Sequence, residues 1–158
     1  MDNHFFTSTG EKISPQDMLD RVREFVGVKK DAVYKIIIGT DSLGANTGSS
    51  DFVTALVVQR VGNGGKYFWR RLKHEPIFNF RDRIIKEVLL SLSAATEVLH
   101  ILKDAGFDFE FEVHVDVGSN GRTSALISEV TGMIRGYNFP FKTKPESYAA
   151  SSVADKHV

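Results

Sequence analysis

Short apolar runs along the chain predict five β-strands. The first is a compact β-branched run, as in buried central strands, and the fourth alternates strictly between apolar and polar residues. A glycine-rich turn at residues 62–65 separates the second from the third and predicts a hairpin. The predicted strands cover residues 34–40, 52–61, 66–73, 107–117 and 139–144.

Apolar residues at helical spacing predict four helices. Ser14 and Pro15 supply an N-cap and a first helical residue for the first of them. The longest carries an apolar stripe from Ile84 to Leu102, and Gly106 is placed to end it. The predicted helices cover residues 15–26, 81–103, 123–135 and the stretch from 145 to the C-terminus.

The order of these elements predicts an α/β fold. After the first helix the order is βββ-α-β-α-β-α. Because parallel strands need a crossover connection, the fourth and fifth strands should run parallel to the first, whereas the second and third form an antiparallel hairpin. We therefore expect a single domain over residues 1–158, with a five-stranded mixed sheet flanked by helices and an N-terminal arm and helix at residues 1–30.

Charge and composition narrow the possible partners. The chain of 158 residues balances 20 Lys and Arg against 20 Asp and Glu, whereas proteins that coat nucleic acid are usually strongly basic. Nucleic acid would have to be held by a local basic patch or through a metal ion. The absence of Cys excludes disulfides and thiolate metal sites. There is no apolar run of membrane-helix length and no secretion signal, so we expect a cytoplasmic protein without a membrane partner.

Acidic residues at the ends of two predicted strands indicate the chemistry. Asp41 ends the first strand and Asp116 the fourth, which should be neighbours in the sheet. Two adjacent carboxylates repel each other unless a cation lies between them, and oxygen ligands favour Mg²⁺ or Mn²⁺. Glu87, at the border of the long helix's apolar stripe, and Asp155, on a small-residue segment, are further candidates. Four such carboxylates would suit two metal ions that share a phosphate.

Three segments closely resemble the bacterial YkuK family: IIIGTDS at 36–42, HVDVGSNGRTS at 114–124 and KPESYAASSVADK at 144–156. The resemblance spans nearly the whole chain and implies a ribonuclease H-like fold. It also implies the Asp-strand, Glu-helix, Asp-strand, Asp-helix pattern of that superfamily, which falls here on the catalytic and metal-binding candidates Asp41, Glu87, Asp116 and Asp155.

Six other residues are expected to contact these ligands or the substrate: Ser42, His114, Ser119, Asn120, Arg122 and Lys144. His114 would be a general base or, more commonly, a structural histidine. Ser119, Asn120 and the following amides precede a predicted helix and would contact a phosphate, with Arg122 in reach. A plain turn capped by Thr123 explains the same residues equally well.

The first functional hypothesis is a Mg²⁺- or Mn²⁺-dependent nuclease acting on RNA, DNA or a hybrid. The alternative is a non-catalytic nucleic-acid or protein-binding module. Each acid alone has an ordinary explanation: turn bonding for Asp41 and Asp116, an ion pair with Arg83 for Glu87, and a frayed terminus for Asp155. Nucleotide phosphotransfer, suggested by Asp41-x-x-Gly44 and Asp116-x-Gly118, is a weaker third interpretation. Proteins with such phosphate loops need two domains facing each other, and this chain has the length of one.

Basic and aromatic residues alternate in the third predicted strand and its extension, residues 66–74. This composition suits a nucleic-acid surface. An edge strand protected by charge looks similar and is the commoner case. The sequence does not predict the oligomeric state.

Overall fold

A computed structural model of the protein describes residues 3–43 and 48–158, so Gly44 lies outside the described residues. Its strands are β1 Phe5–Thr7, β2 Lys12–Ile13, β3 Tyr34–Ser42, β4 Ser49–Arg60, β5 Gly65–Pro76, β6 Glu110–His114 and β7 Phe141–Lys142. Its α-helices are α1 Pro15–Gly27, α2 Phe80–Asp104 and α3 Ile127–Gly136. None of the helices in these ranges is long and apolar enough to cross a membrane.

All of these strands join one sheet in the order β2-β1-β5-β4-β3-β6-β7. β3, β4 and β5 form an antiparallel meander, β6 pairs parallel with β3, and β7 pairs parallel with β6. The predicted mixed sheet is thus confirmed in its central part, β5-β4-β3-β6-β7. This order places the carboxyl ends of β3 and β6 side by side.

The described sheet has seven strands rather than the expected five. The N-terminal arm supplies β1 and β2, and β1 pairs antiparallel with β5 through Phe6 opposite Trp69. Strands of two or three residues are too short to show a hydrophobic period, and their stability comes from pairing with β5. The expectation that residues 66–74 form an edge strand is therefore wrong, because β1 covers part of the outer side of β5.

One face of the sheet carries most of the hydrophobic core. Residues of α1, α2 and α3 form a buried cluster with alternate residues of the central strands, among them Ile36 and Ile38. Ile37 points to the opposite face, as the two-residue period of a strand requires. There it packs against Ala149 in the C-terminal segment, which we define as residues 149–158.

The C-terminal segment differs from the single helix expected there. It begins with a π-helical turn, Ala149–Val153, and continues as a 3₁₀ turn, Ala154–His157. Ala149 and Ala154 are fully buried, since their small side chains let the backbone pack closely against the sheet. The two turns cover the second face of the sheet and carry Asp155 toward the end of β3.

Candidate active site

Asp41 and Asp116 lie at the same end of neighbouring parallel strands. Gly39 of β3 is opposite His114 of β6, and each aspartate follows two residues later along its chain. Side chains two residues apart on a strand share a face, so Asp41 belongs to the face of Ile37, which the C-terminal segment covers. Asp116 follows two residues after the end of β6. They are close enough for the negative charge of Asp116 to raise the pKa of Asp41.

Asp155 brings a third carboxylate to this point. The pKa of Asp41 is raised to about 6, mainly by burial and also by the neighbouring Asp155 and Asp116, while a hydrogen bond from the Ser42 backbone lowers it. Asp41 thus lies within electrostatic reach of two other carboxylates.

Glu87 approaches from the opposite face of the sheet. It is only 5% exposed, and its Oε1 accepts a hydrogen bond of 2.5 Å from Ser42 Oγ. The pKa of Glu87 is raised to about 8, mainly by burial and also by the charges of Asp41 and Asp116, while Ser42 and Arg83 oppose the change. The interpretation of Glu87 as a solvated ion pair is therefore wrong, since Arg83 Nη1 lies instead 3.3 Å from Ser42 Oγ.

A cleft of about 240 Å³ opens beside these carboxylates. Asp41, Glu87 and Asp116 form its acidic wall, and the cations Arg83, Arg122 and Lys144 are also at its lining, with Asn120. Lys144 Nζ lies 3.3 Å from Asp116 Oδ1. This is an ion-pair distance without hydrogen-bond angles, because the buried Oδ1 has no hydrogen-bond partner among the described residues.

Comparison with known sequences agrees with this architecture. The sequence profile of the family described as ribonuclease H-like matches residues 17–158. The chain belongs to the ribonuclease H-like family. It is also similar to a Bacillus subtilis (strain 168) protein named "Uncharacterized protein YkuK", with 33% identity over 167 aligned positions, covering 96% of this chain and 95% of that protein.

The ribonuclease H-like family implies divalent metal ions, and the donor set of this site fits them. The four carboxylates offer hard oxygen ligands, and the buried Asp116 Oδ1 has no hydrogen-bond partner in the described ranges. As the side chains stand, however, no three His, Cys, Asp or Glu of the described chain are grouped closely enough to hold one ion. Asp116 is next to Lys144 and Glu87 is bonded to Ser42, so these contacts would have to loosen when a metal binds.

His114 fastens the C-terminal segment to β6. It is fully buried, its Nε2 lies 2.8 Å from Glu112 Oε1, and its Nδ1 accepts a hydrogen bond of 3.2 Å from the Ala149 backbone. Because Nδ1 accepts, the proton is on Nε2 and is donated to Glu112. Burial lowers the pKa of His114 although Glu112 opposes this effect. Both ring nitrogens therefore have protein partners, and the ring links β6 to the C-terminal segment instead of lining the cleft.

The turn after β6 differs from the expected helix start. A 3₁₀ turn, Ser124–Leu126, precedes α3. Thr123 makes no side-chain capping bond and instead accepts a hydrogen bond of 3.1 Å from the Gly118 backbone, so the capping prediction is wrong. Asn120 and Arg122 line the cleft, whereas Ser119 is exposed at the surface.

Sequence reasoning missed Phe80, and it named Gly118 only as part of a phosphate-loop motif. Phe80 lines the cleft, and the Arg122 guanidinium lies 3.8 Å from the centre of its ring. Gly118 lets Lys144 approach, since a β-carbon there would lie 3.1 Å from Lys144 Cβ. The only sequence signals were an aromatic residue at a helix start and a glycine after a strand, both of which have commoner explanations.

Proposed function

We propose that this chain is a metal-dependent nuclease that hydrolyses phosphodiester bonds of RNA or DNA. The observation that carries the proposal is the electrostatic coupling of Asp41 to Asp116 and Asp155, and of Glu87 to Asp41 and Asp116, which helps to raise the pKa of Asp41 and of Glu87. Burying carboxylates together is costly unless a cation compensates them. Membership of the ribonuclease H-like family supports the same conclusion.

Each acidic residue has a distinct task in this proposal. Asp41 and Asp116, on adjacent strands, would hold the metal ions between them. Glu87 would complete the site from the α2 side, and Asp155 from the C-terminal segment. Mg²⁺ or Mn²⁺ bound there would supply an activated water molecule and stabilise the leaving oxygen.

The cations around the cleft would hold the substrate. Arg122, supported by Phe80, and Lys144 offer positive charge to a phosphate, and Asn120 offers an amide donor. The chain has no net charge, so this local group would provide the electrostatic attraction to nucleic acid. The aromatic residues of β5 are less available, because Tyr67 and Trp69 contact His157 within the protein.

The second candidate function is a non-catalytic nucleic-acid or protein-binding module. Its specific support is that no three acidic or histidine side chains of the described chain are yet placed to share an ion. In that case Lys144 and Ser42 would be permanent partners of Asp116 and Glu87. The two candidates differ in whether the purified protein binds Mn²⁺.

A cleavage assay with matched variants tests the proposal. Labelled RNA, DNA and hybrid substrates are incubated with wild-type protein, Asp41→Asn and Asp104→Asn in Mg²⁺ or Mn²⁺. Asp104→Asn is the control, because it makes the same chemical change at an exposed residue of α2. We expect Asp41→Asn to lose activity by on the order of 100-fold or more.

The other outcomes are equally informative. Equal cleavage by wild type and Asp41→Asn would contradict the proposal and indicate a contaminating nuclease. Absence of cleavage, together with absence of Mn²⁺ binding in calorimetry, would favour the binding module.

A further inference from the structure

Asp155 lies in a part of the chain where order is unexpected. It is exposed and sits in a single 3₁₀ turn near the C-terminus, where chains usually fray. The turn nevertheless packs against β3, where the charge of Asp155 helps to raise the pKa of Asp41. The buried Ala154 holds the chain just before Asp155, and a further contact holds the residues after it.

His157 makes that contact with one face of β5. Its ring stacks on Trp69, with the centroids 4.4 Å apart and the planes 10° from parallel. Its Nε2 lies 2.9 Å from Tyr67 Oη, and its carbonyl oxygen accepts a hydrogen bond from Arg71. The three partners occupy alternate positions of β5, so they lie on the same face of the sheet and form one contact surface for His157.

Trp69 is itself held in place. Its Nε1 donates a hydrogen bond of 3.0 Å to the Thr7 carbonyl, and its ring stacks on Phe6 with centroids 4.5 Å apart. Both partners belong to β1, the strand that the sequence did not predict. The pairing of the N-terminal arm with β5 thus fixes the surface on which His157 stacks.

The other end of the C-terminal segment has its own anchor. The Ala149 backbone is bonded to His114 Nδ1, and the Tyr148 ring meets the His114 ring edge-on at 4.7 Å. Asp155 lies between this anchor and His157. The anchor at His114 holds a residue six positions before Asp155, and Ala154 is buried directly before it. His157 adds the ring contact that holds the chain after Asp155.

We propose that His157, stacked on Trp69, is a positioning residue that keeps the Asp155 carboxylate beside Asp41. This inference rests on the proposed function in so far as Asp155 is a metal ligand. Without the ring, the last turn loses the stack on Trp69 and the bond to Tyr67, and keeps the Arg71 bond and the packing of Ala154. Asp155 then spends less time at the site. The metal site would then behave as though Asp155 were missing, although its side chain is intact.

The experiment compares Mn²⁺ binding by calorimetry in wild type, His157→Ala, His157→Phe, Asp155→Asn and the Asp155→Asn/His157→Ala double variant. We expect His157→Ala and Asp155→Asn each to weaken binding by about tenfold, the scale of losses at groups that support metal ligands. The double variant should bind no more weakly than Asp155→Asn alone, because His157 acts through Asp155. His157→Phe should restore most of the affinity by restoring the stack.

Tryptophan fluorescence provides a readout independent of metal. Trp69 is the only Trp in the chain, so its emission reports whether the His157 ring covers it. His157→Ala should shift the emission to longer wavelength, and His157→Phe should reverse that change. His100→Ala is the control, since it removes an imidazole that is 78% exposed on α2; it should change neither readout.

Two results would overturn the inference: full Mn²⁺ affinity in His157→Ala, or a further loss of affinity in the double variant. Failure of the proposed function can be distinguished from failure of this inference. If wild type binds no Mn²⁺, amide hydrogen exchange of residues 149–158 in the metal-free protein decides the positioning role. Equal exchange in wild type and His157→Ala would overturn it, and faster exchange in His157→Ala would support it.

Discussion

Lys144 places its Nζ 3.3 Å from Oδ1 of Asp116, so a lysine after β7 neutralises an aspartate after β6. The approach depends on Gly118, which leaves space for the Lys144 side chain. A cation of the protein is thus the neighbour of a carboxylate that we propose as a metal ligand. Metal and lysine would compete for this oxygen.

Replacing Lys144 tests that competition. We expect Lys144→Met to bind Mn²⁺ several-fold more tightly, because Asp116 no longer has a competing positive charge; the gain is modest since the lysine is 46% exposed. The same variant should bind a phosphate-containing substrate more weakly. Calorimetry gives the first quantity and KM the second. Lys142→Met, at an exposed residue of β7, is the matched control. Weaker Mn²⁺ binding in Lys144→Met would contradict the competition.

The stability of the metal-free protein should fall as pH rises. Burial raises the pKa of Glu87 from 4.5 to about 8, and that of Asp41 from 3.8 to about 6. Between these values the unfolded chain has lost protons that the folded protein still holds, so the free energy of unfolding decreases with pH. A tenfold change in a protonation equilibrium corresponds to about 1.4 kcal/mol, so the loss from pH 5 to pH 8 is expected to be a few kcal/mol. Most of it comes from Glu87, because solvent screens the partly exposed Asp41.

Urea unfolding with a chelator present, at pH 5 and pH 8, measures this loss. Glu87→Gln cannot ionise and should show a clearly smaller pH dependence, whereas Glu24→Gln, at an exposed position of α1, should behave as wild type. A free energy of unfolding that is constant or rises from pH 5 to pH 8 would show that the pKa values of Glu87 and Asp41 are not raised in the metal-free protein.

A bound divalent metal ion should offset the loss of folding stability at high pH. At the proposed site Mn²⁺ would bind the ionised carboxylates of the folded protein and not the unfolded chain, so at pH 8 it should raise the melting temperature. A free Mn²⁺ concentration of about 100 times the dissociation constant corresponds to about 2.7 kcal/mol of stabilisation. Thermal unfolding of wild type and Asp116→Asn with and without Mn²⁺ checks this. Equal stabilisation of both proteins would place the ion elsewhere.

His114 should matter for stability rather than for proton transfer. It is fully buried and bonded to Glu112 and Ala149, so His114→Ala should lose about 2–4 kcal/mol through a cavity and unpaired polar groups. Urea unfolding measures the loss. The pH profile of any remaining cleavage should keep the wild-type shape. A profile that loses one of its limbs in His114→Ala would instead make the histidine a catalytic base.

Much of the central sheet was predictable because its signals are local. The β-branched run of β3 and the alternation around β6 identify strands, and the crossover rule makes them parallel neighbours. The placement of Asp41 beside Asp116 follows from these two facts. β1 and β2 were not predictable, because two or three residues give no periodicity and their pairing depends on a partner far along the chain.

The position of Glu87 was only partly predictable. Helical periodicity puts it at the border of the apolar stripe of α2, which leaves both burial and solvation open. The packing of α2 against the sheet buries Glu87, and Ser42 then donates a hydrogen bond to it. The capping prediction for Thr123 was wrong for a related reason, since a hydroxyl near a helix start has several possible partners.

The sequence by itself determined the two strands near whose carboxyl ends Asp41 and Asp116 lie, because hydrophobic periodicity and chain connectivity act over short distances. Only the tertiary structure decided that Asp155 reaches Asp41, and that His157, Trp69 and Phe6 lie in stacking contact. These contacts join the two ends of the chain across β5. They form when separate strands and turns pack together, and each contact joins residues that are far apart in the sequence. A local sequence pattern therefore cannot predict them.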